Sequence, residues 1–260
     1  MPKKSLGQNF LKDKNILSKI IDCGEISGSD IVLEIGPGTG NLTEKILEKN
    51  PKYLIVVEKD KDLSILLKKK FTNKIEVVNE DILKYFDKIN FDLPIKVFGN
   101  LPYNISTKIL VSFIRTKNLN NRFKKFIFIF QKEVADRILA KENTRNYGRL
   151  SILTSWKMNK YKIMDIDAKF FYPKPKVWSS LITLEPKLRF ESLNNPKSLE
   201  HITNVFFNQR RKMIKKPMKQ LFANFENIAT KLDINLDLRP QNLSKEKYLE
   251  ICRMYEDLSH

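Results

Sequence analysis

Ile31-Val32-Leu33-Glu34-Ile35-Gly36-Pro37-Gly38-Thr39-Gly40 is the run that sets the architecture. Its first five residues, four of them aliphatic, read as a strand buried on both faces, because a half-exposed strand would alternate apolar with polar positions. The chain then breaks into glycines, and Leu42, Ile46 and Leu47 carry the spacing of a helix. A strand, a tight turn and a helix in this order form the opening unit of a parallel α/β sheet. Gly36 and Gly38 let a ligand approach the backbone without meeting a Cβ, and Gly40 allows close helix packing. The spacing is G-x-G-x-G rather than the G-x-G-x-x-G of dinucleotide sites, which weakens a pyrophosphate reading.

Working outward, a second strand from Tyr53 to Val57 ends in Glu58, 22 residues after Gly36. An acidic residue at the end of the second strand accepts hydrogen bonds from ribose hydroxyls in folds of this type. A third strand, Ile75 to Val78, ends in Asn79-Glu80-Asp81-Ile82, and a fourth, Ile95 to Phe98, runs into Gly99-Asn100-Leu101-Pro102-Tyr103-Asn104. Right-handed crossovers place all four corners on one edge of a parallel sheet, where together they specify an adenosine-type pocket. The Asn100 amide, a carbonyl at Leu101 or Pro102 and the Tyr103 ring offer acceptors and a flat face, which suits a planar base carrying an exocyclic amine. The plainer alternative is an ordinary strand end and turn, with Tyr103 a core aromatic.

Residues 105 to 114 carry a helix pattern and 115 to 125 read as a basic loop. Phe126 to Phe130 forms a fifth strand ending at Gln131-Lys132-Glu133-Val134, with a helix after it; strands follow over 161 to 169 and 179 to 185. Between the last two lies the aromatic, proline-stiffened and basic loop Phe170 to Val177, which either places a ring against an extruded base or fills a hydrophobic gap. Residues 3 to 12, ahead of a helix capped by Asp13, fit a disordered basic tail or a flap over a ligand. Composition shifts after Pro186, dividing the chain into 1–186 and a helical 187–260, with Ser244 capping a last helix. Residues 201 to 219 hold six Lys and Arg and no Asp or Glu. Such a run is ordinarily a solvated face; the total charge favours a phosphate-contacting helix that includes Arg210, Arg211 and Lys212.

The 260 residues carry 48 Lys and Arg against 30 Asp and Glu, a net charge of +18 that favours nucleic acid over membrane as partner. Cys23 and Cys252 are far apart, and His201 and His260 make no metal-ligand spacing with them, so neither a zinc site nor a disulfide framework is expected. No run approaches membrane-spanning length and the amino terminus lacks a signal-peptide core, which points to the cytoplasm.

Six motifs together resemble one family, the ribosomal RNA adenine dimethyltransferases, of the bacterial type that methylates two adjacent adenines near the 3′ end of small-subunit (16S) RNA. They are Gly7-Gln8-Asn9-Phe10-Leu11, Glu34 to Gly40, Asn100 to Ser106, Gln131 to Val134, Phe171-x-Pro173-x-Pro175-Lys176-Val177, and Asn208-Gln209-Arg210-Arg211-Lys212. The resemblance runs along nearly the whole chain. It implies a Rossmann-like class I methyltransferase fold, with a seven-stranded, mostly parallel sheet whose last strand is antiparallel, followed by a small helical RNA-binding domain. It also implies S-adenosylmethionine as donor, bound by Asn9, Leu11, Gly36, Gly38, Glu58, Asp81 and Asn100, with Glu58 on the ribose and Asp81 near the donor's adenine. Asn100, Leu101, Pro102 and Tyr103 would hold the target amine, and Phe171 would stack on the target base; no metal is implied. The expected substrate is small-subunit RNA within a pre-assembled small ribosomal subunit, approached by a monomer. The rivals are a large-subunit RNA dimethyltransferase, a noncatalytic assembly factor and a DNA adenine methyltransferase.

Overall fold

The computed structural model describes Lys3 and residues 7–258. The chain divides into two compact units, one holding the residues up to Ala135 with Asn159–Pro186, the other Asp136–Met158 with the residues from Lys187 onward. The change at Pro186 coincides with the compositional shift, but residues 136–158 pack with the carboxyl-terminal unit rather than with 1–186.

In chain order the elements up to Gln131 are β1 (Phe10–Leu11), α1 (Lys14–Gly24), β2 (Ile31–Ile35), α2 (Asn41–Leu47), β3 (Tyr53–Val57), α3 (Lys61–Lys70), β4 (Glu76–Val78), α4 (Ile82–Tyr85), β5 (Ile95–Asn100), α5 (Ser106–Arg115), α6 (Leu119–Arg122) and β6 (Phe123–Gln131). Then come α7 (Lys132–Leu139), α8 (Arg149–Lys157), β7 (Met158–Ile166), β8 (Phe171–Tyr172), β9 (Ser179–Pro186), α9 (Pro196–Phe207), α10 (Lys215–Leu221), α11 (Phe225–Lys231) and α12 (Lys245–Leu258). Seven strands form one sheet in the order β4-β3-β2-β5-β6-β9-β7. Strands β4, β3, β2, β5 and β6 are parallel, and β9 runs antiparallel to β6. The strand order reverses between β2 and β5, so Gly36 and Asn100 emerge side by side at the switch point where open α/β sheets bind ligands.

Burial explains the strands: every residue of β2 is buried, Glu34 included, and β5 is buried from Ile95 to Gly99. On one side of the sheet the Phe113 ring of α5 meets Phe123 and Phe126 of β6 at 5.0 and 4.9 Å between centroids. On the other, α1 lies so close that a Cβ on Gly24 would sit 2.2 Å from the Phe98 ring. Asp13 caps α1 by accepting from the Ile16 N–H at 2.9 Å. One charged pair is buried beneath: Lys96 Nζ donates to Asp30 Oδ2 at 2.8 Å, the two side chains being 3% and 6% exposed.

Two local expectations change. The basic stretch 115–125 contains the short helix α6 and the start of β6, because buried Leu119 and Phe123 recruit it to the core. Residues 3 to 12 include strand β1, paired antiparallel with β8 through Phe10 opposite Tyr172 and Leu11 opposite Phe171.

In the second unit, Tyr248 of α12 is fully buried against Phe206, with centroids 5.3 Å apart, and its hydroxyl donates to the Pro240 carbonyl at 2.7 Å. Ser244 caps α12, accepting from the Lys247 N–H at 3.2 Å. Arg210, Arg211 and Lys212 lie in a turn between α9 and α10 rather than on a helix.

Candidate functional site

The first unit holds a cleft at the carboxyl ends of β2, β3 and β5, lined among others by Asn9, Leu11, Gly36, Gly38, Glu58, Asp81, Asn100 and Pro102. Its floor is the turn after β2. Gly36 has φ +66, and a Cβ there would meet no atom within 4 Å, so the backbone faces open space. Gly38, at φ +59, has the Phe10 ring against it; a Cβ there would sit 2.6 Å from Phe10 Cε1.

Glu58 is fixed by the backbone, its Oε2 accepting from the Gly38 N–H at 3.1 Å and its Oε1 from the Asp60 N–H at 2.8 Å. Burial pushes its pKa up against these two bonds. Each oxygen keeps a second lone pair, so the carboxylate can still accept from a diol. Asp81 caps α4 through the Leu83 N–H at 3.0 Å and pairs with Lys59 Nζ at 2.9 Å; against the upward push of burial, these hold its pKa below the usual range. Glu34 is fully buried with Thr43 Oγ1 donating to it at 2.6 Å, and burial raises its pKa to about 8. It therefore sits in the fold as a neutral acid at pH 7.

Asn100 projects from the end of β5. Its Nδ2 donates to the Asn9 carbonyl at 2.7 Å, which turns Oδ1 into the acceptor end of the side chain. Of the neighbours expected beside it, Pro102 lines the cleft, whereas Leu101 is 1% exposed and packs against Gly99. The Tyr103 hydroxyl lies 2.6 Å from Ser179 Oγ, so the ring is held by β9. Phe171 is 4% exposed in the core cluster with Leu11, Leu17 and Ile129 and does not line the cleft. Phe171 opposes Leu11 across the β1–β8 pair, and the two pack side by side in that core cluster.

Three contributors carried no role in the sequence reading. Asn41 Nδ2 donates to the Leu11 carbonyl at 2.9 Å, tying β1 to the glycine turn. Asp60 takes Gln8 Nε2 at 3.1 Å and Lys3 Nζ at 2.8 Å, tying these two residues to the cap of α3. Ser179 holds Tyr103. None of the three stands in one of the six motifs, although their partners Gln8, Leu11 and Tyr103 do. The three basic candidates separate: Arg210 donates Nη1 to the Tyr147 carbonyl at 2.6 Å and Nη2 to the Arg145 carbonyl, while Arg211 and Lys212 are exposed. Among the described residues no three His, Cys, Asp or Glu are grouped to hold a metal, and no helix is long and apolar enough to cross a membrane.

Residues 2–257 match the family described as ribosomal RNA adenine dimethylase. The chain belongs to the ribosomal RNA adenine dimethylase family. The chain is 54% identical over 256 residues to the ribosomal RNA small subunit methyltransferase A of Pelagibacter ubique (strain HTCC1062), covering 98% of this chain and 97% of that one. It is 43% identical to the enzyme of the same name from Ehrlichia ruminantium (strain Gardel), covering 96% of each. Among solved structures, the chain is similar to a dimethyladenosine transferase from Plasmodium falciparum, with TM-score 0.76, 28% identity, and coverage of 96% of this chain and 98% of that one.

Proposed function

We propose that the protein transfers methyl groups from S-adenosylmethionine to N6 of two adjacent adenines near the 3′ end of small-subunit ribosomal RNA, within a pre-assembled small subunit in the cytoplasm. The observation that carries this reading is Asn100, whose amide is oriented by the Asn9 carbonyl so that Oδ1 is presented beside the glycine turn. The residues present fit the donor. Open backbone at Gly36 accommodates a ligand without a Cβ, the Glu58 carboxylate has lone pairs left for ribose hydroxyls, and Asp81 stands at the next strand end for an adenine. Asn9 and Leu11 close the cleft from the β1 side.

When bound, the donor supplies a methyl group on a sulfonium, an electrophile that needs no further activation. The chain's contribution is orientation. The lone pair of an adenine amine is delocalised into the ring. An acceptor at Asn100 Oδ1, with a carbonyl from the Leu101-Pro102 segment, takes the two N–H groups and leaves the lone pair aimed along the transfer axis. Tyr103, held by Ser179, stiffens this corner. The displaced proton passes to water, since an alkylated amine is acidic enough to release it without a dedicated base. The adenine must leave its stack to reach the corner, at about a few kcal/mol, which favours unpaired or terminal positions of RNA. Replacing Asn100 by Ala removes the acceptor and is expected to lower transfer more than 100-fold with unchanged thermal unfolding; turnover at the wild-type rate contradicts the assignment.

A further inference from the structure

The β1–β8 ribbon places an aromatic ring where the family motif does not look for one. Phe10 and Tyr172 are directly opposite, and the side chains of such a pair project from one face. Phe10 faces the site, since its ring lies against Gly38 in the glycine turn. Tyr172 therefore shares the face of Phe10 without itself lining the cleft, while Phe171, its neighbour in sequence, packs in the core cluster with Leu11. The Tyr172 ring is 55% exposed, and Lys12 Nζ, the next residue along β1's own face, stands 4.2 Å from its centroid. Lys12 is itself exposed, as are Lys169, Lys174 and Lys176 on the same loop, where Asp167 is the one acid between residues 167 and 178. A half-exposed ring under one lysine, in a loop that carries three more exposed lysines, is matched in chemistry by a nucleotide, whose base stacks on the ring while its phosphate meets the cation.

We propose that Tyr172 and Lys12 form a second base-stacking subsite, which holds the nucleotide next to the adenine being methylated. The inference rests on the reading of the protein as an RNA adenine methyltransferase. With two adjacent target adenines, the subsite parks one base outside the catalytic corner while the other reacts, and the same platform receives the first after the chain steps along by one nucleotide. Tyr172 is a binding residue of this subsite and makes no contact with the reacting nitrogen.

The test compares Tyr172→Ala, Tyr172→Leu, Tyr172→Phe and Lys12→Ala for binding to small ribosomal subunits that lack the methyl groups, and for single-turnover methyl transfer at saturating subunit. Stacking predicts weaker binding by about 5- to 150-fold for Tyr172→Ala and Tyr172→Leu. Tyr172→Phe stays within about twofold of wild type, the saturated transfer rate is unchanged in all three, and Lys12→Ala lowers the slope of log affinity against log salt by about one. Binding within about twofold for Tyr172→Ala overturns the proposal. Equal loss in Tyr172→Phe overturns it too, because a hydroxyl contact would then be responsible, and so does a fall in saturated rate without a change in binding, which would place the effect in the β1–β8 pairing. If wild-type protein transfers no label to the subunits, the proposed substrate falls; if wild type transfers and Tyr172→Ala binds normally, only the subsite falls.

Discussion

Replacement of Glu34 by Gln should flatten the pH dependence of stability. Glu34 is fully buried in β2 with Thr43 donating to it, and burial raises its pKa from 4.5 to about 8. Between these values the folded chain keeps the proton and the unfolded chain releases it, so the folded state binds more protons and stability falls as pH rises through this window. The contribution is fully present below pH about 4.5 and lost above about 8. The limiting slope is about 1.4 kcal/mol per pH unit, so wild type should lose about 2–3 kcal/mol between pH 5.5 and 7.5 from this group. Glutamine can still accept from Thr43 and carries no charge at any pH. The difference in unfolding free energy between Glu34→Gln and wild type, from urea melts at half-unit pH steps, should therefore rise in favour of the variant by about that amount across the window. At about 2–4 °C per kcal/mol for a chain near this size, the melting temperatures should diverge by several degrees. A difference independent of pH would show that Glu34 titrates at the same pKa folded and unfolded, and would refute the reasoning.

Gly38→Ala forces an alanine to φ +59 and drives its Cβ to 2.6 Å from Phe10; the left-handed backbone alone costs about 1–2 kcal/mol. Donor affinity measured by calorimetry should fall at least about tenfold, and adding Phe10→Ala should recover part of the loss, which a double-mutant cycle reads directly. Lys96→Ala leaves the buried Asp30 carboxylate without its 2.8 Å partner and should cost about 3–5 kcal/mol in denaturant melts. Arg210→Ala, which frees the carbonyls of Tyr147 and Arg145, should lower stability by about 2 kcal/mol. Arg211→Ala, at an exposed position, should change stability by less than about 0.5 kcal/mol and instead reduce the salt dependence of RNA binding.

The parallel sheet was legible because its strands are short apolar runs punctuated by glycine, acid or amide, and such runs have one stable environment, the centre of an α/β sheet. The cleft followed from the same punctuation: Gly36, Glu58 and Asn100 stand at strand ends and Asp81 follows β4 at the cap of α4, and parallel strands carry their termini to one edge. What local pattern does not encode is pairing between distant segments. Phe170, Phe171 and Tyr172 are three consecutive aromatics, and which of them shares the face of Phe10 depends on the register of β8 against β1, some 160 residues earlier. Likewise Arg210 and Arg211 are adjacent and identical in type. One is consumed by carbonyls of the 144–147 loop and the other is left to solvent, a distinction set by where residues 136–158 pack.

The most direct test of the central claim is transfer of labelled methyl from S-adenosylmethionine to small ribosomal subunits lacking these modifications, with large-subunit RNA and duplex DNA in parallel. The account predicts label as N6-dimethyladenine at two adjacent positions near the 3′ end of the small-subunit RNA and nowhere else, and its loss in Asn100→Ala. Label in large-subunit RNA or DNA would contradict the proposed substrate, and tight subunit binding with no label would contradict catalysis itself.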